Sequence, residues 1–193
     1  MPQTETVKSK KDELLEIASR LFYEQGYYRT GVKQIIDEAG IAKGTFYSHF
    51  KSKEDLGVAW LKARHNTWNA WLEKYLDEEG GDQAASKIKG LFDFLEDWMQ
   101  GCGYRGCAFL NTLTETPEGD SPLRKEIESH KRSLLAVIQS LVNEHVPADT
   151  EAERVQLAQT IFIIFEGALI EMQNFRDTWP AKAAKEQIRR LLE

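Results

Sequence analysis

The 193-residue sequence is poor in the residues that interrupt helices or crosslink small folds, with five prolines and two cysteines. Two cysteines are too few for a disulfide framework, and they predict a chain that folds in a reducing compartment, the cytoplasm. The polar start, MPQTETVKSKKDE, has no apolar signal core. The longest apolar stretch, Ile161 to Ile170, contains Glu166 and Gly167 and is predicted to be too short for a bilayer. We therefore expect a globular protein with no membrane partner.

Sequence motifs typical of catalysis or cofactor binding are also missing from the sequence. It has no nucleophile–base motif, no phosphate-binding loop and no metal-binding box. Cys102 and Cys107 would need two further ligands to bind zinc, and His130 and His145 do not supply a recognisable spacing. The sequence therefore predicts neither an enzyme nor a cofactor or metal site.

The charge is distributed unevenly along a chain whose net charge is −6. Residues 1–64 contain 11 Lys and Arg against 9 Asp and Glu, whereas the remainder contains 14 against 22. A mildly cationic first third can contact phosphates even beside an acidic body, because salt screens the charges that lie far from the duplex. The same distribution also suits an ordinary solvated surface, so charge alone does not decide whether the partner is DNA.

The hydrophobic pattern predicts an all-α protein. In the first segment Leu14, Ala18, Leu21 and Phe22 recur at helical spacing, and no segment shows the sustained alternation of a strand. Nine helices are predicted, over about 8–25, 32–39, 42–49, 53–77, 83–99, 107–115, 122–145, 150–176 and 180–192.

Small and polar residues predict where several of these helices begin and end. Gly26 is expected to end the first helix in the left-handed conformation. Thr30 and Ser52 are expected to cap the second and fourth helices. The Gly-rich acidic segment 79–82 and Pro147 are expected to separate later helices.

Two short predicted helices, 32–39 and 42–49, are separated only by a tight turn at Gly40 and Ile41. This spacing is typical of a helix-turn-helix, whose second helix enters the major groove of DNA. Phe46 and Phe50 would anchor that helix to the first two. Its other face offers small or polar groups to bases and phosphates, namely Lys43, Gly44, Thr45 and Tyr47. A generic helical hairpin has the same spacing, although so short a glycine-containing helix stabilises a fold poorly and favours groove insertion.

The literal sequence is more specific than the spacing. The stretch AGIAKGTFYSHFKSKEDL (39–56), preceded by LFYEQGYYRTGVKQIIDEAG (21–40), closely resembles the signature of the tetracycline-repressor (TetR) family. The resemblance covers about the first third of the chain. It implies a DNA-binding domain over 1–52, a ligand-binding and dimerisation domain over 53–193, and a homodimer formed by the last two helices. It also implies a small-molecule effector that changes the spacing of the two DNA-binding heads.

The resemblance further implies which residues contact a double-stranded DNA operator. The residues that would face bases or the groove are Ala42, Lys43, Gly44 and Thr45. Phosphates would be contacted by Thr30, Tyr47, His49 and Lys53, with Lys33 as a weaker candidate. Two alternatives stay open, since His49 could pack at the helix end and Lys53 could be a solvated charge.

Apolar residues and one carboxylate on predicted helices 4 to 8 are candidates for the effector pocket. They are Trp60, Trp68, Phe92, Leu95, Trp98, Phe109, Leu113, Phe162, Phe165 and Glu166. Most of them are expected to be core, although a sensor must leave a mainly apolar cavity. Glu166, within FIIFEGALI, needs a partner. It could contact a cationic or hydroxylated ligand, pair with a Lys or Arg, or lie at the dimer interface.

The eighth predicted helix is apolar on more than one side. The interior of one protomer cannot bury all of that apolar surface. We therefore predict a homodimer that buries more than about 1,000 Å² in total. Its interface is predicted from helices 8 and 9, with Leu157, Ile161, Ile164, Leu169, Ile188, Leu191 and Leu192.

These patterns predict a ligand-responsive transcriptional repressor that releases a palindromic operator when a small molecule binds the carboxy-terminal domain. The alternative is a redox- or electrophile-responsive regulator acting through Cys102 and Cys107, because Arg105 would favour a reactive thiolate. A helical enzyme or scaffold with an incidental helix-turn-helix is a third interpretation. The absence of a catalytic constellation from the sequence weighs against it.

Overall fold

The structure is a computed structural model that describes residues 8–78, 83–116, 119–145 and 150–193. Within these ranges the chain forms nine α-helices and no strand. They are α1 (Lys10–Gln25), α2 (Val32–Ala39), α3 (Lys43–His49), α4 (Lys53–Glu78), α5 (Ala84–Gly101), α6 (Ala108–Glu115), α7 (Pro122–His145), α8 (Glu151–Phe175) and α9 (Trp179–Leu191). The all-α prediction is confirmed, and each helix end lies within two residues of its predicted position. The predicted breaks at 79–82 and Pro147 fall outside the described residues.

Of three predicted helix boundaries, one has the expected atomic detail and two differ from it. The backbone N–H of Asp55 donates to Ser52 Oγ at 3.0 Å, so Ser52 caps α4 as predicted. Gly26 ends α1 with a φ of 101° and a ψ of 149°, a positive φ but not the predicted left-handed helical conformation. Thr30 does not cap α2, because Gly31 holds the N-cap position and the Thr30 hydroxyl donates instead to the Gly26 carbonyl at 2.7 Å.

The chain divides into two compact units. The first unit contains the residues up to Arg64 together with Ala108–Ile127, and the second unit contains His65–Cys107 and Glu128–Glu193. The predicted domain boundary between residues 52 and 53 is therefore not where the compact units divide. Backbone proximity assigns the start of α4 and the whole of α6 to the unit that contains α1–α3.

The core of the first unit is built on the apolar face of α1. Leu14, Ala18 and Phe22 are buried there, as the helical spacing predicts. The Phe22 ring lies 5.2 Å from the ring of Trp60 on α4, and Phe46 of α3 is fully buried. α1 packs closely against α2. This core holds the two short helices of the predicted DNA-binding motif in place.

The second unit is organised around α8, which packs against α5 and α9. By length and composition α8 is long and apolar enough to cross a membrane, in contrast to the prediction made from Ile161 to Ile170 alone. A core helix meets the same criterion, and Ile161, Phe165 and Leu169 are fully buried by the packing. Burial inside the unit accounts for one apolar side of α8.

Candidate nucleic-acid interface and effector domain

The turn between α2 and α3 is fixed by backbone geometry. Gly40 has a φ of 60° and a ψ of 35°, the left-handed conformation that glycine adopts without a steric penalty. The N–H of Gly40 donates to the Asp37 carbonyl at 3.2 Å, and the N–H of Ile41 donates to the Ile36 carbonyl at 3.3 Å. These bonds close the end of α2 and direct the chain into α3, which is the arrangement that the helix-turn-helix prediction requires.

α3 is anchored by two aromatic rings. Phe46 and Phe50 are buried, with ring centroids 6.2 Å apart, so both predicted anchors face inward. The predicted base-facing residues occupy exposed positions or, for Thr45, a half-exposed one; they are Ala42, Lys43, Gly44 and Thr45. Tyr47 is 46% exposed. An added Cβ at Gly44 would meet no atom within 4 Å, so the protein itself does not require glycine there. Close approach of DNA would supply a reason for it.

The predicted phosphate contacts differ in their accessibility. Lys33 and His49 are exposed, and Lys33 forms a surface ion pair with Asp37 at 2.5 Å. The prediction for Thr30 is corrected, because its side chain is fully buried and its hydroxyl bonds inward to a backbone carbonyl. A buried hydroxyl with an internal acceptor is not available to a phosphate.

Lys53 is half-buried and has protein partners, so it is not a freely solvated charge. Its ammonium Nζ donates to the Tyr28 carbonyl at 3.2 Å and lies 4.4 Å from the centroid of the Tyr27 ring. Burial lowers the pKa of Lys53, and the nearby Glu115 carboxylate opposes that shift. An ammonium has three donors, so this geometry leaves part of its bonding capacity for an anion.

The structure adds two residues that the sequence interpretation missed. Tyr28 is 78% exposed, and its backbone is held from both sides, by Lys53 at the carbonyl and by Glu115 at the N–H. Glu115 is separated from Tyr28 by 87 positions. No local sequence pattern predicts a contact over that separation. The signal for Tyr28 was present in the sequence, as one of two consecutive tyrosines after Gly26.

The geometry of α2, the turn and α3 agrees with comparisons against known families. The model of the family described as "Bacterial regulatory proteins, tetR family" matches residues 14–59. The model described as "Tetracyclin repressor-like, C-terminal domain" matches residues 84–188, which is more than half of the chain. The chain belongs to the TetR family. This TetR-family protein is therefore a DNA-binding transcriptional regulator and not an enzyme, as the sequence predicted.

Individual relatives support the same assignment along nearly the whole chain. The HTH-type transcriptional repressor NemR of Escherichia coli (strain K12) is 23% identical over 190 residues, which cover 97% of this chain and 96% of NemR. The HTH-type transcriptional regulator TtgR of Pseudomonas putida is 24% identical over 165 residues, covering 82% of this chain and 79% of TtgR.

Solved structures share the fold of this TetR-family chain. A TetR-family transcriptional regulator from Streptomyces coelicolor superposes with a TM-score of 0.83 at 24% identity, covering 95% of each chain. The reduced form of E. coli NemR superposes with a TM-score of 0.79 at 19% identity, covering 96% of this chain and 98% of NemR. These similarities extend the fold assignment to the second unit.

The predicted effector-pocket residues do not form one group in the TetR-family chain. Trp60, Phe109 and Leu113 belong to the first unit. The others belong to the second unit; they are Trp68, Phe92, Leu95, Trp98, Phe162, Phe165 and Glu166.

Most of these residues are closely packed, as expected for core positions. Phe92, Leu95 and Phe165 are buried, and the rings of Phe92 and Phe165 lie 5.9 Å apart. Trp68 packs edge-on against Trp98 at 5.5 Å. The three cavities described in the second unit are lined by other residues. The aromatic stripe is therefore core at most of its positions.

Glu166 has a protein partner. Its carboxylate oxygens accept hydrogen bonds from Lys131 Nζ at 2.6 and 2.8 Å, and both side chains are only 17% exposed. Of the three alternatives for Glu166, pairing with a lysine describes the structure. Lys131 Nζ also lies 3.8 Å from the sulfur of the buried Cys107, so the thiol, the ammonium and the carboxylate are neighbours.

The predicted dimer-interface residues divide by exposure. Ile161, Leu169 and Ile188 are fully buried within the chain, so their assignment to an interface is corrected. The remaining predicted residues keep exposed surface; they are Leu157, Ile164, Leu191 and Leu192. The sequence could not separate these groups, because helical periodicity does not say which side of an all-apolar helix meets its own chain.

Proposed function

We propose that this protein is a ligand-responsive repressor that acts in the cytoplasm as a homodimer and releases a palindromic operator when a small molecule binds its carboxy-terminal region. The observation that carries the proposal is the disposition of α3. This short helix turns two phenylalanines inward and leaves Lys43, Gly44 and Tyr47 exposed, as a helix that reads the major groove requires. Two such helices related by two-fold symmetry would read two half-sites.

The experiment is footprinting on the DNA that flanks the protein's own gene, followed by titration of the purified protein on the protected fragment. We expect protection of two inverted half-sites whose centres lie about one helical turn, or a multiple of it, apart. Protection of one asymmetric half-site would contradict the symmetric proposal. A Phe46→Tyr variant is the comparison for the effect of folding on DNA binding. It alters the buried anchor of α3 and leaves the exposed groups of that helix unchanged.

The dimer proposal is supported by apolar side chains that the chain leaves uncovered on and after α8. Ile163 is 67% exposed and Ile170 is 43% exposed, and their spacing of seven residues puts them on one face of α8. Phe175 and Trp179, whose rings lie 5.2 Å apart, are also about half exposed. Exposed apolar surface of this kind is typical of a protein interface.

Light scattering at micromolar concentration tests the dimer. We expect the mass of two chains for the unmodified protein and of one chain for Ile163→Glu, because a charge in an apolar interface is costly to desolvate. Glu171→Gln, an exposed polar change on the same helix, is the matched control and is expected to remain dimeric. A monomeric unmodified protein would contradict the proposal.

A second candidate function is redox- or electrophile-responsive regulation. The observation that favours it is the 3.8 Å approach of Lys131 Nζ to Cys107 Sγ, which places a charged side chain beside a thiol. The solved relative NemR is described in its reduced form. Cys107 is buried and Cys102 is half-exposed, so Cys102 is the more accessible thiol.

Gel shifts with and without hydrogen peroxide separate the two candidates. Under the redox proposal the oxidant weakens DNA binding, a reductant restores it, and Cys107→Ser removes the response. Cys102→Ser shows whether the second thiol takes part. Peroxide-insensitive DNA binding would eliminate redox regulation and leave the ligand-responsive candidate.

A further inference from the structure

A cavity of about 360 Å³ lies among α4, α5 and α7 of the second unit. Its volume falls within the usual range of small-molecule sites. One part of its wall is apolar, formed by Leu72 and Leu76 of α4 and by Val137 and Leu141 of α7. None of these residues belonged to the predicted effector pocket. The cavity therefore offers a location for an effector that the sequence did not indicate.

Another part of the wall, its polar end, is formed by residues of the same two helices and belongs to a hydrogen-bonded cluster. Asn69 and Ser133 line the cavity, and Asn69 Nδ2 lies 3.4 Å from Ser133 Oγ and 2.9 Å from His65 Nε2. His65 Nδ1 lies 3.1 Å from Nδ1 of the buried His130. If His65 Nε2 accepts from the Asn69 amide, the proton of His65 lies on Nδ1 and is donated to His130. Every member of the hydrogen-bonded cluster is then uncharged.

The burial of His130 maintains that neutrality. Burial, Lys131 and His65 together lower the pKa of His130 to about 3, with burial as the largest cause. His130 therefore supplies no positive charge to pair with an anionic ligand at the polar end. The Ser133 hydroxyl accepts the long bond from Asn69, and no acceptor for its own proton occurs among the described residues. A ligand oxygen could take that proton.

The charged residues along the cavity also disfavour an anion. Lys87 of α5 pairs with Asp77 at 3.0 Å, and Glu73 adds a further negative charge. The three side chains leave one excess negative charge. A carboxylate ligand would meet this charge without a free cation, and its desolvation would be uncompensated.

We propose that this cavity binds an uncharged, largely apolar molecule with one hydroxyl or carbonyl group, which bonds to Ser133 and Asn69 while the apolar body lies against Leu72, Leu76, Val137 and Leu141. The inference rests on the proposed ligand-responsive function and assigns its effector class. Both N–H groups of the Asn69 amide are directed at His65 and Ser133, so its carbonyl oxygen is the atom left for a ligand. A ligand hydroxyl can donate to that oxygen and accept from the Ser133 hydroxyl, and a ligand carbonyl can accept from the Ser133 hydroxyl. Both head groups are neutral, as the cluster is.

Calorimetric titration of the full chain with three eight-carbon probes tests the effector class. The probes are 1-octanol, octanoate and octylamine, which share one apolar tail and differ in head-group charge. We expect 1-octanol to bind about tenfold or more tightly than octanoate, whose carboxylate would meet the excess negative charge without a free cation. We expect it also to bind more tightly than octylamine, because the Glu73 carboxylate is exposed to solvent and a screened pairing with it would not offset the desolvation of the ammonium. Equal binding of the three probes, or preference for a charged one, would overturn the assignment.

Two pairs of variants test the location. Val137→Phe fills the cavity and is expected to abolish 1-octanol binding, whereas Ala136→Phe adds the same ring at an exposed position of α7 and is expected to leave it unchanged. Ser133→Ala removes one hydrogen bond and is expected to weaken 1-octanol about fivefold, with the exposed Ser140→Ala as control. Unchanged 1-octanol affinity in both Val137→Phe and Ser133→Ala would overturn the proposal.

A DNA titration with and without 1-octanol separates the site from the function. Binding of 1-octanol without a change in DNA affinity would support the site and contradict regulation through it. DNA binding by a protein that does not bind 1-octanol would contradict the site and leave the DNA-binding regulator intact. Circular dichroism and DNA affinity of each variant show whether it is folded.

Discussion

Glu115 Oε2 accepts a hydrogen bond from the backbone N–H of Tyr28 at 2.6 Å and so joins the last residue of α6 to the turn between α1 and α2. The same carboxylate lies against Gly26, where an added Cβ would stand 2.6 Å from Glu115 Oε1. Since Lys53 donates to the Tyr28 carbonyl, the backbone N–H and the backbone C=O of this exposed residue are both bound by charged side chains. This turn leads directly into the helix-turn-helix.

Glu115→Ala is expected to lower the free energy of unfolding by about 1 kcal/mol, because it removes a charge-assisted but half-exposed hydrogen bond. DNA affinity should fall similarly on operator and scrambled sequences, since the turn orients the motif and contacts no base. Urea denaturation and binding titrations measure the two effects. Thr114→Ala, an exposed neighbour, is the control. A change in operator preference at unaltered stability would contradict this role.

Lys43→Ala and Thr45→Ala are expected to alter the preference among operator variants by roughly 1–3 kcal/mol, the amount associated with a good base contact. Both residues lie on α3 at positions that the phenylalanine anchors leave accessible. Titrations against the operator and its single-base variants measure the effect. Ser48→Ala is a matched control on the same helix, since the Ser48 hydroxyl donates to the Thr45 carbonyl at 2.7 Å.

Lys53→Ala is expected to weaken binding to all sequences and to lower the slope of log affinity against log salt by about one, because one phosphate contact releases about one counterion. Tyr47→Phe should be equally indifferent to sequence but have little salt effect, since a phenol releases no counterion. Titrations at several salt concentrations measure both slopes. If Lys53→Ala changed operator preference while Lys43→Ala and Thr45→Ala did not, α3 would not be the reading element.

Stability is expected to fall in mild acid because of His130. Its pKa is lowered to about 3 in the folded chain, against an ordinary value of 6.5. Below pH 6.5 the unfolded chain therefore binds a proton that the folded chain excludes until about pH 3. The stabilisation is complete above pH 6.5 and is lost as the pH falls towards 3, with a slope of up to about 1.4 kcal/mol per pH unit.

His130→Asn should flatten this dependence between pH 4.5 and 7, as measured by urea denaturation at each pH. His49→Asn is the control, because His49 is exposed. A slope that is the same in His130→Asn and in the unmodified protein would show that other groups cause the acid sensitivity.

The sequence by itself determined the helices, the helix-turn-helix and the family. These depend on local information: three- and four-residue periodicity, a glycine at the α2–α3 turn, and the literal stretch from Ala39 to Leu56. A helix forms from contacts between near neighbours, so its apolar face and its ends are encoded within a few residues. Phe46 and Phe50 could be recognised as anchors for this reason.

Only the tertiary structure decided which apolar faces are core, which are exposed and which polar groups meet. Ile161 and Ile163 are two positions apart on α8, yet the first is fully buried and the second is mostly exposed. Glu166 meets Lys131 from another helix, and Glu115 reaches the turn beside Tyr28. Thr30, expected at a phosphate, turns its hydroxyl to the Gly26 carbonyl. Such outcomes depend on how helices far apart in sequence pack together, and the periodicity of a single helix contains no information about its neighbours.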